Sequence, residues 1–196
     1  PSNFPIVFEK RVFSQSIAPV RISFAGGGSD LTHYFMSDVG SVLNATISLY
    51  AHATLRPRDD RKVTISSLDL KDTIEASDLE TFLACSDKFD LFRGLLQLIK
   101  PNFGFDLYVR CDFPQGSGLG GSSAVLAAIL GCFNEFRSDK WNEYELAELA
   151  FQSERIILDI SGGWQDQYAT IFGGINFIEF KNGDNLIHPL RLAEKT

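Results

Sequence analysis

Little in this sequence points toward a metal cage, a nucleic-acid surface or a membrane. Its three histidines, His33, His52 and His188, are scattered without ligand spacing. Its three cysteines, Cys85, Cys111 and Cys132, form no C-x-x-C pair. An odd set of widely spaced cysteines near apolar runs predicts buried free thiols in a reducing compartment, not a disulfide framework. Positive charge is also scarce: 18 Lys and Arg stand against 25 Asp and Glu, for a net charge of −7. No global field therefore draws in nucleic acid or an anionic membrane, and a phosphate ligand must be held by local devices. The longest apolar run, around residues 125–130, falls well short of the roughly 20 residues that span a bilayer. The opening PSNFPIVFEKRVF lacks the basic-then-apolar layout of a secretion signal, so the cytoplasm is the expected compartment. There is no G-x-S-x-G elbow, internal repeat or low-complexity linker.

What the chain does have is material for a core. Of its 196 residues, 44% are hydrophobic, 22% are charged and 17 are Phe. A chain of this size hides roughly 70% of the surface its unfolded form exposes, so it needs no staples. Apolar periodicity then sorts the segments. Residues 16–24 alternate and are rich in β-branched side chains, predicting a strand that runs into Ala25-Gly26-Gly27-Gly28-Ser29-Asp30. Ser29 or Asp30 is placed to cap a short helix reaching Met36. Residues 41–56 and 62–67 read as strands joined by a hairpin turn at Pro57-Arg58-Asp59-Asp60. From Asp87 to Lys100, apolar residues recur at helical steps until Pro101 ends the run. Residues 103–111 alternate as a strand, and 122–136 are apolar enough for a buried helix. Asn142 and Glu145 have capping-box spacing. They open a helix whose stripe runs Leu146, Leu149, Ala150, Ser153, Ile156, Ile157 and Ile160 until Gly162-Gly163. A helix over 165–171 and the strand INFIEF come next. Helices and strands mix without strict alternation, which predicts the α+β class.

Two glycine-rich stretches carry the candidate chemistry. In FPQGSGLGGSSA, Gly116, Gly118 and Gly121 satisfy G-x-G-x-x-G. The dinucleotide fingerprint also needs a second strand ending in an acid about 20 residues on, whereas here a helix follows the helix. Residues 116–123 approach G-x-x-x-x-G-K-[ST], but Ser122 stands where the phosphate-binding Lys must be. Two readings remain. One is a glycine-rich turn with a serine cap. The other is a cradle where backbone N–H groups and a helix N-terminus converge on an anion. In the cradle, the Ser122 and Ser123 hydroxyls cap the helix or reach a metal on a phosphate.

The second stretch lies just after Arg21. Three consecutive glycines make sense where a ligand lies against backbone. Asp30 either caps a helix or accepts hydrogen bonds from sugar hydroxyls, and Arg21 is either a surface strand residue or neutralises a transferring phosphoryl. Glu154 sits at the edge of its helix's apolar stripe, as a half-exposed carboxylate or a metal holder, while Arg155 points elsewhere. Asp166, in GGWQDQY, is a first-turn acid that serves the helix dipole or faces a substrate hydroxyl, as kinases require.

Arg21 to Asp30, then FPQGSGLGGSSA, then a helix with Glu154 ahead of GGWQDQYATIFGG, resemble in content and order the GHMP kinases. That family includes galactokinase, homoserine kinase, mevalonate kinase and phosphomevalonate kinase. AGGGSDL with GGWQDQYATIFGGINFIEF is most similar to the branch of heptose 7-phosphate kinases and fucokinases. The resemblance spans about residues 19–180. It implies the GHMP kinase N-terminal domain (ribosomal protein S5 domain 2-like), a mixed sheet packed with helices, over residues 1–180. Residues 181–196 would begin or link to a C-terminal domain.

The resemblance implies roles as well. Pro114, Gly116, Ser117, Gly118, Leu119, Gly120, Gly121, Ser122 and Ser123 would wrap the ATP phosphates. Ser122 and Glu154 would hold Mg2+. Asp166 would face the attacking hydroxyl, with Arg21 near the phosphoryl group, and Gly27, Gly28, Ser29, Asp30 and Asp166 would meet the sugar. The implied reaction moves the γ-phosphoryl of ATP to a sugar hydroxyl, the anomeric one of D-glycero-D-manno-heptose 7-phosphate. Fucose or another sugar is the alternative, and a non-catalytic sugar or nucleotide sensor is the competing class. An RNA-binding domain of the S5-like fold is disfavoured by the −7 charge.

The sequence departs from the family pattern twice. The family loop usually reads GLGSSA, and Gly121 replaces its first Ser. Gly27-Gly28 stand where galactokinases carry Glu-His, which opens space for a different or larger sugar. Family members also continue past INFIEF into a second α+β domain. Only 22 residues follow Gly174, so the expectation is the amino-terminal part of a longer kinase with an incomplete cleft.

Overall fold

The computed structural model describes residues 12–85, 88–181 and 184–192. Its centre is one mixed, seven-stranded sheet. The strands are β1 (Ser14–Ala25), β2 (Gly40–Arg58), β3 (Val63–Ser67), β4 (Asp72–Ala76), β5 (Gly104–Cys111), β6 (Ile175–Lys181) and β7 (Asp184–Leu190). β2, rich in Val, Ile, Thr and Tyr, is the spine. β1 runs antiparallel along one edge of it, from Ser14 opposite Leu55 to Ala25 opposite Leu43. The other edge is shared by β5, opposite residues 51–58, and β6, opposite residues 40–45. β3 lies parallel to β5 and hairpins to β4, while β6 hairpins to β7.

The expected hairpin between the second and third strands does not form. β5 lies between them, paired to β2 on one side and β3 on the other. Alternation identifies a strand but not its neighbour, and the buried Phe105, Leu107 and Val109 of β5 suit a central position. Arg58 secures the connection, forking onto Asp60 at 2.8 Å while reaching Asp106 of β5 at 2.9 Å.

The helices are α1 (Thr32–Phe35), α2 (Leu79–Leu83), α3 (Asp90–Ile99), α4 (Gly121–Asn134), α5 (Glu143–Phe151) and α6 (Gln165–Phe172). Asp87, where the sequence starts the helix that became α3, lies outside the described residues. α4 is apolar around most of its circumference and packs on β1 and β2, with α6 beside it. The main core joins Leu55, Phe105 and Leu107 of the sheet to Leu95 of α3 and to Leu126 and Phe133 of α4. Each such side chain contributes about 1.5–3 kcal/mol on burial. Phe105 and Phe133 meet edge to face at 5.2 Å and 89°. A second cluster, including Phe35, Tyr168 and Phe180, seats α6 against β6.

Local capping agrees with the sequence at α5 and departs from it at α1. Asn142 Oδ1 accepts from Glu145 N at 3.0 Å, and Glu145 Oε2 accepts from Asn142 N at 2.8 Å, closing the capping box. At α1 the cap position is Leu31, with no side-chain bond; Asp30 serves α6 instead. The helix after Asn142 does not keep its period to Ile160. A π-helical turn, Gln152–Ile157, succeeds α5, and Leu158 N donates to Ser153 O five residues back at 3.2 Å. Glu154 continues the face of Ala147, Ala150 and Phe151 and is completely buried with Ser153, whereas Ile156, inside the π-helical turn, is 69% exposed.

The thiols also differ from the uniformly buried set expected. Cys132 is buried and Cys111 partly so, but Cys85, just after α2, is exposed. All three are free. Among the described residues, no helix is long and apolar enough to cross a membrane.

Candidate active site

The loop from β5 to α4 has glycine where its path demands it. Gly116, Gly118 and Gly120 have φ of +74°, +72° and +75°, with no positive φ at Ser117 or Leu119 between them. Alternation of this kind turns backbone N–H groups toward one side and forms an anion-binding concavity. α4 begins there without a side-chain cap. Its first helical bond is Ala124 N to Gly120 O at 3.1 Å. The N–H groups of Gly121, Ser122 and Ser123 therefore have no helical partner and sit at the positive end of the helix dipole. Pro114 and Ser117 lie on the exposed outer part of the loop.

Neither serine caps α4, because both hydroxyls turn to Glu154. Ser122 Oγ donates to Glu154 Oε1, and Ser123 Oγ donates to Oε2 at 2.6 Å. Gln167 Nε2, from α6, donates to the same Oε2 at 2.6 Å. Glu154 is thus wholly buried, with neutral donors and no ion pair among the described residues. Ser122 remains exposed, so the Oε1–Ser122 side faces the loop. An uncompensated buried carboxylate beside a hydroxyl, under an anion cradle, is a hard oxygen donor set that suits a magnesium ion shared with phosphate. Among the described residues no group of three or more His, Cys, Asp or Glu is placed to hold a metal.

β1 delivers Arg21 to the same loop. Its backbone N donates to Leu119 O at 3.1 Å, and its guanidinium donates to Gly118 O at 3.0 Å and Asp166 Oδ1 at 2.7 Å. Asp166 stands in the first turn of α6. The pair is nearly enclosed, with side chains 13% and 19% exposed. Burial pushes the Asp166 carboxyl above the ordinary carboxylate range; Arg21 opposes this, the Glu154 charge adds to it, and Arg155 opposes it. The loop comes so close that a Cβ at Gly120 would lie 3.3 Å from Asp166 Oδ2 and 3.5 Å from Arg21 Cζ. At Gly121 a Cβ would lie 2.6 Å from the Phe113 ring, which accounts for the missing serine.

The 26–30 loop is tied to this centre through α6. Asp30, 2% exposed, accepts from Gly28 N at 3.0 Å and from Gln165 N at 3.1 Å. Its carboxylate therefore caps α6 one residue before Asp166. Gly163 gives it room, since a Cβ there would fall 1.9 Å from Asp30 Oδ2. Ser29 Oγ lies 2.8 Å from Gly26 O and 3.0 Å from Ser41 O. The side chains of Ser29 and Asp30 are thus engaged with backbone. Gly28 offers open space, with nothing within 4 Å of a Cβ built there.

A cleft of about 480 Å³ opens between the loop, β5, α3 and the segment before α6. Arg21, Asp166 and Ser122 stand at one end, and Leu70, Leu91, Val109 and Phe113 form apolar walls. The 26–30 loop does not line it. Two contributors were not visible in the sequence. Gln167 gives no signal beyond its place in QDQ. Arg155, expected to point elsewhere, lines the cleft, because the π-helical turn shifts the helical register.

Residues 87–174, which carry the glycine-rich loop, Glu154 and Asp166, match the family described as GHMP kinases N terminal domain. Within that class, the chain is 43% identical over 180 residues to D-glycero-alpha-D-manno-heptose 7-phosphate kinase of Campylobacter jejuni, covering 89% of this chain and 53% of that protein. It is 29% identical over 196 residues to the galactokinase of Lactobacillus helveticus, covering 90% of this chain and 47% of that enzyme. The chain thus spans about half the length of these curated relatives. The crystal structure of a D-glycero-D-manno-heptose 1-phosphate kinase from Bacteroides thetaiotaomicron superposes with a TM-score of 0.82 at 34% identity, covering 91% of this chain and 60% of that one.

Proposed function

We propose that this domain is the ATP- and sugar-binding part of a cytoplasmic sugar kinase. It would transfer the γ-phosphoryl of ATP to the anomeric hydroxyl of D-glycero-D-manno-heptose 7-phosphate. The observation that carries the reading is the convergence at Gly120, where the cradle meets Arg21 and Asp166 within van der Waals distance. Similarity to the heptose 7-phosphate kinase favours the substrate. Fucose or another sugar is the second reading, favoured by 27% identity over 192 residues to the L-fucokinase/L-fucose-1-P guanylyltransferase of Bacteroides fragilis.

Phosphoryl transfer asks mainly for positioning and for neutralisation of charge on the phosphate. The apolar walls take the base, and the N–H groups of residues 116–123 take the phosphates. Ser122 and Glu154 would hold Mg2+, which when bound neutralises phosphate charge. Arg21 holds Asp166 in one orientation and adds positive charge where the phosphoryl moves. Asp166 accepts a hydrogen bond from the sugar hydroxyl and aims its oxygen. A carboxylate is a weak base toward an alcohol, so orientation outweighs proton removal, although burial moves Asp166 toward better proton affinity. Gly27, Gly28, Ser29 and Asp30 shape the neighbouring backbone, with Gly28 the open position for a sugar.

A coupled ADP-release assay over a panel of sugars and sugar phosphates, with Asp166→Asn as control, tests the proposal. Turnover should peak with the heptose phosphate and fall steeply in the variant. Stabilisation by sugar without any ADP release would favour a sensor instead. Asp166→Asn activity within a few-fold of wild type would remove Asp166 from its role.

A further inference from the structure

Three cationic side chains line the cleft: Arg21, Lys88 and Arg155. Arg21 is paired with Asp166, and Lys88 with Asp72 at 2.8 Å. Arg155 has no carboxylate partner among the described residues. Its guanidinium rests on neutral carbonyls instead: Ile160 O at 3.2 Å and Ser161 O at 3.4 Å from one terminal nitrogen, and Gly163 O at 3.4 Å from the other. Its Nε is buried and has no hydrogen-bond partner among the described residues. Neutral carbonyls satisfy hydrogens without forming an ion pair, and Asp166, the carboxylate whose field Arg155 shares, is already paired with Arg21, so a ligand that brings counter-charge is favoured at this partly desolvated cation.

The fold is built around this guanidinium. A Cβ at Gly162 would lie 2.6 Å from an Arg155 terminal nitrogen and 2.7 Å from Cζ, so the glycine leaves the space that the group fills. Arg155 follows Glu154, the buried acid beneath the glycine loop, within the π-helical turn. It lines the same cleft as Ser161, Gly116, Gly118 and Ser122.

We propose that Arg155 is a phosphate-contacting residue whose ligand is the polyphosphate chain of a nucleoside triphosphate. The inference rests on the reading of this domain as nucleotide-binding. The carbonyl contacts hold the planar group in place, so that little side-chain freedom is lost when phosphate arrives.

Calorimetric titration of wild type, Arg155→Gln and Arg155→Lys with Mg-ATP, inorganic tripolyphosphate, adenosine and a hexose phosphate tests it. Loss of one charged hydrogen-bonding contact should weaken ATP and tripolyphosphate by roughly 10- to 100-fold in Arg155→Gln, with adenosine unchanged and Arg155→Lys recovering part of the loss. A thermal unfolding scan checks that the variants fold. Should Arg155→Gln fail to fold, Gly162→Ala, whose methyl would expel the guanidinium from its seat, must give the same phosphate-selective loss. Equal weakening of adenosine and ATP would reduce Arg155 to a loop brace and overturn the proposal, as would a loss confined to the hexose phosphate. Wild type that binds ATP and tripolyphosphate, with Arg155→Gln unaffected, overturns this inference alone. Wild type that binds neither overturns the nucleotide reading with it.

Discussion

Replacing Glu154 by Gln separates holding the fold from holding a metal. The carboxylate is fully buried and accepts from three neutral donors, Ser122, Ser123 and Gln167. Hydrogen bonds to a charged group contribute about 1.5–3 kcal/mol each. Three of them roughly offset a burial penalty of several kcal/mol, which leaves little net stabilisation. Glutamine keeps the shape and removes the charge, and the serine hydroxyls can rotate to accept from its amide. The unliganded protein should therefore change by less than about 1 kcal/mol, or roughly 2–4 °C. The ligand response should change far more. A ligand at a hundredfold excess over its Kd stabilises by about 2.7 kcal/mol, so wild type should gain roughly 5–10 °C with Mg2+ and ATP. Glu154→Gln should gain no more from Mg-ATP than from ATP without metal. Differential scanning calorimetry of both proteins, with and without ATP and Mg2+, measures each difference. A drop beyond about 3 kcal/mol without ligand, together with an intact Mg-ATP shift, would make Glu154 a structural anchor and refute the reasoning.

Three further outcomes are expected. Asp166→Asn should lower kcat by about 10²- to 10⁴-fold. In wild type, the acid limb of the kcat profile should lie above the pH of an exposed aspartate, because burial raises this carboxyl and activity is lost as it protonates; a limb at the ordinary position near pH 4 counts against that. Gly121→Ser, which restores the family's serine, should destabilise by about 1–3 kcal/mol, since its Cβ meets the Phe113 ring at 2.6 Å. Phe113→Leu should relieve the clash, and a double-mutant cycle with no coupling would contradict it. A thiol reagent at pH 8 should label exposed Cys85 first. Cys111 and Cys132, pushed up to about 12 and about 11 by burial, should react only slowly, and rapid labelling of a second cysteine in the folded protein would contradict this.

Much of this architecture was legible because it rests on local rules. The spine strand, the buried α4 and the capping box of α5 each arise from composition, period or cap chemistry within a dozen residues. The glycine loop was legible as a special turn, with a serine-capped turn and an anion cradle both left open; the positive φ at Gly116, Gly118 and Gly120 favours the cradle. Partner choice was not. No rule of alternation reveals that β5 lies between β2 and β3, since that pairing joins segments distant in sequence and leaves the same one-face pattern in each strand. Elements as short as β4, α2 and β7 span too few residues to show a period. At the site, Asp30 was split between cap and sugar ligand because both uses want a short acid before a helix, and only the fold identifies α6 as the helix it caps. Glu154 escaped because its stripe was drawn through Leu146 and Leu149 on to Ile160, whereas α5 buries Ala147, Ala150 and Phe151; Arg155 escaped because a helical wheel assumes 3.6 residues per turn and the π-helical turn breaks that assumption.

That break makes chain length itself an inherited component of the site. A π-helical turn is an α-helix carrying one residue too many, and each residue added or removed rotates the rest of the helix by about 100°. Deleting a single position between Gln152 and Ile157 would let the helix settle into regular hydrogen bonding. No charge need be lost and no cavity opened. Yet every residue beyond the deletion would turn by about 100° relative to α5, so loss of Ser153 would swing Glu154 and Arg155 away from the glycine loop. Such a lesion would yield a protein that is folded, with a tidier helix, and silent, so that the surplus residue and the chemistry it aims can only be inherited together.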